Sequence, residues 1–90
     1  MNKKISEIEC LLAENLRRER EQRDWTRKEM ARKAGVQEAV IAKTETLISF
    51  PTPKTLEQLA RVLKLKPYQL FMPKADFDLI LAVKNLAAKN

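Results

Sequence analysis

The chain holds no histidine, one cysteine and one glycine among its 90 residues. Each shortage excludes something. A single thiol, Cys10, can form neither an intrachain disulfide nor a zinc cluster. It reads as a small hydrophobe on the first helix, with intermolecular pairing as the alternative. One glycine leaves no glycine-rich loop for a phosphate group. With no histidine and no suitably spaced carboxylate pair, no catalytic constellation can be assembled. The acidic side chains lie among Arg and Lys at helical spacings, the pattern of solvated salt bridges. No enzyme activity, cofactor or metal is expected. No apolar run approaches 18 residues, so no transmembrane helix and no membrane partner are expected. The opening residues MNKKISEIEC lack the apolar core of a signal peptide, and a cytoplasmic protein is expected.

What is present suits a small helical globule. The chain is 44% hydrophobic, with four prolines. That composition belongs to a folded, helix-rich chain. A length of 90 residues predicts one domain spanning 1–90, without repeat or linker. The net charge is +6 and invites a polyanionic partner. Residues 1–25 hold six basic and six acidic side chains, and 75–90 hold two of each. The whole excess therefore lies in 26–74.

That middle region contains the stretch TRKEMARKAGVQEAVIAKTE, residues 26–45. Thr26 and Glu29 form a capping box that starts a helix. Trp25 and Met30 are placed for a hydrophobic staple across it. Gly35 ends the helix, because glycine accepts the left-handed backbone of a C-cap. Val36-Gln37-Glu38 starts a second helix with Ile41 pointing inward. Ala31 is small where two crossing helices would press closest. A short helix, a glycine turn and a second helix is the spacing of a helix-turn-helix.

From Leu16 to Phe71 the chain resembles the Cro/cI-type (XRE) helix-turn-helix family of bacterial and phage DNA-binding regulators. The match is carried by Arg20, the TRKEMARKAGV run, Ile41, Glu45, Pro51 and the block Thr55-Leu56-x-x-Leu59-Ala60-x-x-Leu63, ending at Leu70-Phe71. The resemblance implies an all-α, five-helix lambda-repressor-like domain, with the final helix as an addition. It also implies double-stranded DNA as partner, read by the second helix of the motif.

A helix of this width fits the major groove. With Ile41 inward, Ala39, Lys43 and Thr46 share the exposed face, and Gln37 and Glu38 lie at the leading end. Gln37 can pair with adenine, Lys43 with guanine, Glu38 with cytosine, and Ala39 can meet a thymine methyl. Two alternatives stand: Glu38 serving the helix dipole, and Lys43 serving a phosphate. Arg27 occupies a position where the family commonly has a phosphate-binding Gln, which implies a backbone clamp. Thr26, Lys28, Thr46 and Lys54 are further candidates for phosphate contacts.

Along the rest of the chain, Met1 to Ile5 is expected to fray. Ser6 and Glu9 form another capping box, opening a helix from about Glu7 to Gln22. Its buried stripe is Ile8, Leu12 and Leu16. Arg17, Arg18, Glu19, Glu21 and Arg23 read as a mostly solvated face. Arg20 continues the apolar stripe and needs a partner. The family resemblance, and the place of both residues beside the core, nominate Glu45.

In the family the residue two past this Glu is usually Gly; here it is Leu47. The second helix then either runs on a turn or displaces Leu47. Leu47, Ile48 and Phe50 make an apolar loop that covers the core or meets a partner. Thr52-Pro53 opens a helix over about 53–64. Lys66-Pro67 opens a short fifth helix that Pro73 stops. Asp76 is expected to cap a last helix, 77 to about 88. Phe77, Ile80 and Leu81 on it are candidate dimer or partner contacts.

The expected function is sequence-specific regulation of transcription, as a repressor bound to a palindromic operator as a homodimer. An interaction module is the alternative. A type II antitoxin would bind a toxin and its own operator. The transcription machinery is another candidate protein partner.

Overall fold

The computed structural model describes residues 4–88. The first three residues of the segment expected to fray therefore lie outside the described ones. Among the described residues every regular element is helical. In order these are α1 (Glu7–Gln22), α2 (Arg27–Ala34), α3 (Glu38–Glu45), α4 (Pro53–Leu63), a short 3-10 helix (Pro67–Phe71) and α5 (Lys74–Ala88).

Local chemistry places most of the starts. Ser6, Thr26 and Thr52 each sit in extended backbone and accept the N–H three residues on. Each thereby satisfies one orphan donor of the first turn. Pro53 occupies the first helical position of α4, where its missing N–H costs nothing. The 3-10 helix uses a different device, with the Lys66 N–H donating to Gln69 Oε1 at 2.7 Å.

Four helix ends share one geometry. At each, two N–H groups fold back onto the last turn, the two-bond pattern of a Schellman cap. For α2 these are Gly35 N–H to Arg32 O and Val36 N–H to Ala31 O. The same pair recurs with Asp24 and Trp25 after α1, Leu47 and Ile48 after α3, and Lys64 and Leu65 after α4. The pivot of such a cap is left-handed. Gly35 meets this with φ 74°, whereas Asp24, Leu47 and Lys64 adopt φ 57°, 64° and 58° with a Cβ in place. A left-handed L-residue costs roughly 1–2 kcal/mol. The question raised by Leu47 is thus answered: α3 stops at Glu45, and Leu47 takes the strained backbone that glycine would take freely.

The core lies where α1, α2, α3, α4 and the 3-10 helix meet. Leu12, Leu16, Met30, Ile41, Leu59, Leu63 and Leu70 are fully buried. Ala31 is also buried, consistent with a close approach of α2 and α3. Trp25 is half-buried against this cluster, with Lys33 Nζ 5.2 Å and Arg23 Cζ 5.7 Å from its ring.

Three expectations need correction. Ile8 is exposed, because the core begins one turn later, at Leu12. Asp76 does not cap α5; it lies in the first turn of a helix that begins directly after Pro73. The Phe77 N–H donates to Pro73 O at 3.1 Å, closing that first turn. The charged side of α1 is not simply solvated. Glu19 is buried and accepts from Arg23 Nη1 at 2.9 Å, while Arg23 Nη2 donates to Leu63 O, also at 2.9 Å. One helical turn earlier on this side, buried Asn15 donates through Nδ2 to Leu70 O and Met72 O, both at 2.8 Å. The end of α4 and the 3-10 helix cover this side, so its polar groups become the fastening between elements.

Candidate nucleic-acid interface

The motif is held by a carboxylate at the end of α3. Glu45 has a fully buried side chain and accepts three guanidinium N–H bonds. Arg20 Nε donates to Oε2 at 2.7 Å and Arg20 Nη2 to Oε1 at 3.0 Å. Arg27 Nε donates to Oε1 at 3.1 Å. Arg20 also donates through Nη1 to Trp25 O at 2.8 Å, fixing the residue just before the Thr26 cap. One cluster therefore joins α1, the start of α2 and the end of α3. The hydrogen bond to Glu45 raises the Arg20 pKa above the usual guanidinium value, against the opposing effect of burial. Arg20 stays charged wherever the protein is folded. Two cations on one anion leave the cluster with one net positive charge.

The outer face of α3 is its opposite in character. Gln37, Glu38, Ala39 and Lys43 are all exposed, while Ile41 and Thr44 on the other side are buried. Gln37, Glu38 and Lys43 have no side-chain hydrogen bond or ion pair among the described residues. Their polar atoms are available to something outside the chain. Gln37 is the N-cap residue of α3, yet its side chain makes no capping bond. The preceding glycine turn sets the angle of this face, because α2 and α3 both pack on the core through their inner sides.

The five phosphate candidates divide into two groups. Lys28 and Lys54 are exposed and make no ion pair among the described residues. Thr26, Arg27 and Thr46 are already engaged. Thr26 Oγ1 accepts the Glu29 N–H and donates to Glu29 Oε1. The Thr46 hydroxyl donates to Ala42 O at 2.7 Å, turned back along its own helix. It must rotate before it can donate elsewhere. Arg27 uses only Nε internally.

The apolar candidates also divide. Leu47 is half-buried and borders a cavity of about 130 Å³ together with Cys10 and Ala13 of α1. Phe50 is exposed on one side and stacks on Phe71, with ring centroids 6.2 Å apart. Ile48 stands in solvent. On α5, Phe77, Ile80 and Leu81 line a groove of about 60 Å³ with Gln69 and Met72. Leu79, Val83 and Leu86 form a second apolar stripe and are all well exposed, Leu86 at 69%. No residue of α5 is buried. The second stripe was not among the interface candidates read from the sequence. Its signal was the i, i+4, i+7 spacing of three large aliphatic residues.

A buried motif anchor, an outer α3 face with unpaired polar side chains and the exposed Lys28 and Lys54 fit one class, a helix-turn-helix DNA-binding regulator of transcription, and the family match shows it. The helix-turn-helix family model matches residues 16–70, more than half of the chain, and the protein belongs to this family, of Cro/cI (XRE) type. Double-stranded DNA is accordingly its partner. Among solved structures, the chain is similar to a hypothetical transcription factor, NHTF, from Neisseria. The two share 24% identity and a TM-score of 0.76 over 83% of this chain and 84% of the other. At that identity the likeness speaks for the fold alone. No curated protein matches the chain. No helix of the described residues is long and apolar enough to cross a membrane.

Proposed function

We propose that the protein is a repressor that binds a palindromic operator as a homodimer and reads each half-site with α3. The observation that carries this reading is the outer face of α3. Gln37, Glu38, Ala39 and Lys43 are exposed there, without internal partners, on a helix whose inner face is locked into the core. In the proposed complex Lys43 donates to a guanine edge, Gln37 to adenine, and Glu38 accepts from cytosine, with Ala39 against a thymine methyl. Lys28, Lys54 and Arg27 grip the backbone, with Thr26 and Thr46 alongside. The contacts of one small module are few, and a dimer doubles them.

The apolar residues outside the core supply the second copy's contact. The candidates are Phe77, Ile80 and Leu81 on α5, and Leu47, Ile48 and Phe50 of the loop after α3. The test is selection of bound duplexes from a random pool. The expected product is a palindrome with half-sites about one helical turn apart, or a multiple of that. A pool that shows no enrichment rejects the reading.

The exposed state of α5 favours a second reading, in which the partner is another protein and DNA binding serves that complex, as in a type II antitoxin. A 15-residue helix without a buried residue gains little from its own chain and is marginal in water. Light scattering separates the two readings. A dimer at micromolar concentration supports the homodimeric repressor, and a persistent monomer with and without DNA supports a different protein partner.

A further inference from the structure

The internal engagement of Arg27 bears on how it can meet DNA. Its Nε is bonded to Glu45, and the two terminal nitrogens, Nη1 and Nη2, have no hydrogen-bond partner among the described residues. The Arg27 side chain is 37% exposed, whereas the Glu45 side chain beneath it is fully buried. A guanidinium is planar and rigid. Holding Nε therefore orients the whole fork, and leaves four N–H bonds for another acceptor. Glu45 cannot drift, because Arg20 binds both of its oxygens. A lysine in place of Arg27 would have one nitrogen for both tasks.

We propose that Glu45 is a positioning residue for DNA binding: it holds Arg27 by Nε so that Nη1 and Nη2 form a preset two-pronged donor for one backbone phosphate. This rests on the reading of the motif as the DNA-contacting element. Because Glu45 ends α3, the phosphate contact is tied to the reading helix itself. Phosphate contact and helix angle then act as one unit. The carboxylate also lowers the local charge to one net positive, so the clamp adds direction to the attraction that remains. An ordered fork loses less freedom on binding than a free side chain does.

The test uses the whole chain on a random-sequence duplex, since phosphate contacts carry no sequence information. Wild type, Arg27→Lys and Arg27→Ala are compared at several salt concentrations, after thermal melts establish that all three fold. Arg27→Ala is expected to weaken binding by roughly tenfold or more. It should also flatten the log–log salt slope by about 0.9. Arg27→Lys is expected to fall close to Arg27→Ala, its ammonium taken up by Glu45. If Arg27→Lys instead binds like wild type with the same slope, a point charge suffices and the proposal is wrong.

A second readout follows the Arg27 Nε–H by NMR in the free and bound protein. Its carboxylate hydrogen bond should persist in the complex; loss of that bond on adding DNA would overturn the positioning role. A wild type that binds no duplex would sink the DNA-contact reading as a whole, and would leave the Arg27–Glu45 bond purely structural.

Discussion

Replacing Glu45 by alanine tests the anchor of the motif most directly. The substitution removes three charge-assisted hydrogen bonds at once. The main loss falls on Arg20, whose side chain is only 12% exposed and would keep a single bond, to Trp25 O. Removing one partner of a buried ion pair costs about 3–5 kcal/mol, because the other charge stays buried without compensation. Arg27 adds little to this sum, since it is more than a third exposed and can turn into water. A domain of this size has total stability of only about 5–15 kcal/mol. Glu45→Ala should therefore lose a large share of it.

The control is Glu57→Ala on the exposed side of α4, expected to lie within about 0.5 kcal/mol of wild type. Urea titration followed by circular dichroism gives both differences by linear extrapolation. Replacing Arg20 and Glu45 together by methionine should cost much less than Glu45→Ala, because the one charge left without its partner, Arg27, is more than a third exposed and can turn into water. If Glu45→Ala and Glu57→Ala unfold at the same urea concentration, the carboxylate is not an anchor and the argument for it fails.

Four other outcomes are expected. At position 64, where the backbone is left-handed and the side chain exposed, glycine should be more stable than alanine by about 1 kcal/mol, the reverse of the order inside a helix; equal melting of Lys64→Gly and Lys64→Ala would contradict the cap. Asn15→Ala should cost roughly 1–3 kcal/mol by stranding the Leu70 and Met72 carbonyls, and a neutral result in chemical denaturation would show that water replaces the amide. Truncation after Lys74 should lower the melting temperature of a dilute sample only slightly, since α5 has no fully buried residue and only Phe77 of its interface candidates is half-buried, while abolishing self-association in light scattering; a collapse of the dilute fold would place α5 in the core after all. Lys43→Ala should lose about 1–3 kcal/mol at one base pair of each half-site and relax preference there, measured on single-base operator variants; a uniform loss on every duplex would make Lys43 a phosphate contact instead.

Local signals were the readable part of this chain. Ser6, Thr26 and Thr52 announce helix starts because a cap bond spans only three residues. Gly35 announces the turn because its backbone requirement belongs to that one residue. The stripe of Leu12 and Leu16, the inward Ile41 and the block Leu59-Ala60-Leu63 follow from helical period, and all are buried. Spacing alone reaches a helix-turn-helix; the family is legible only through the resemblance carried by residues such as Arg20, Glu45 and the TRKEMARKAGV run.

Tertiary structure decided what spacing could not. Ile8 continues the stripe of α1 but lies beyond the reach of the other helices, so it is exposed. Asn15, Glu19 and Arg23 look like surface polars until the 3-10 helix and the end of α4 close over them. The strain at Leu47 is enforced by where the chain must leave α3, against the preference of the residue itself. Arg27 looked like a free clamp; only the meeting of α1, α2 and α3 places it on the same carboxylate as Arg20, 25 positions before Glu45 in sequence. Caps and periodicity are short-range and sit in neighbouring residues, whereas shared partners are settled only when distant segments arrive at one point.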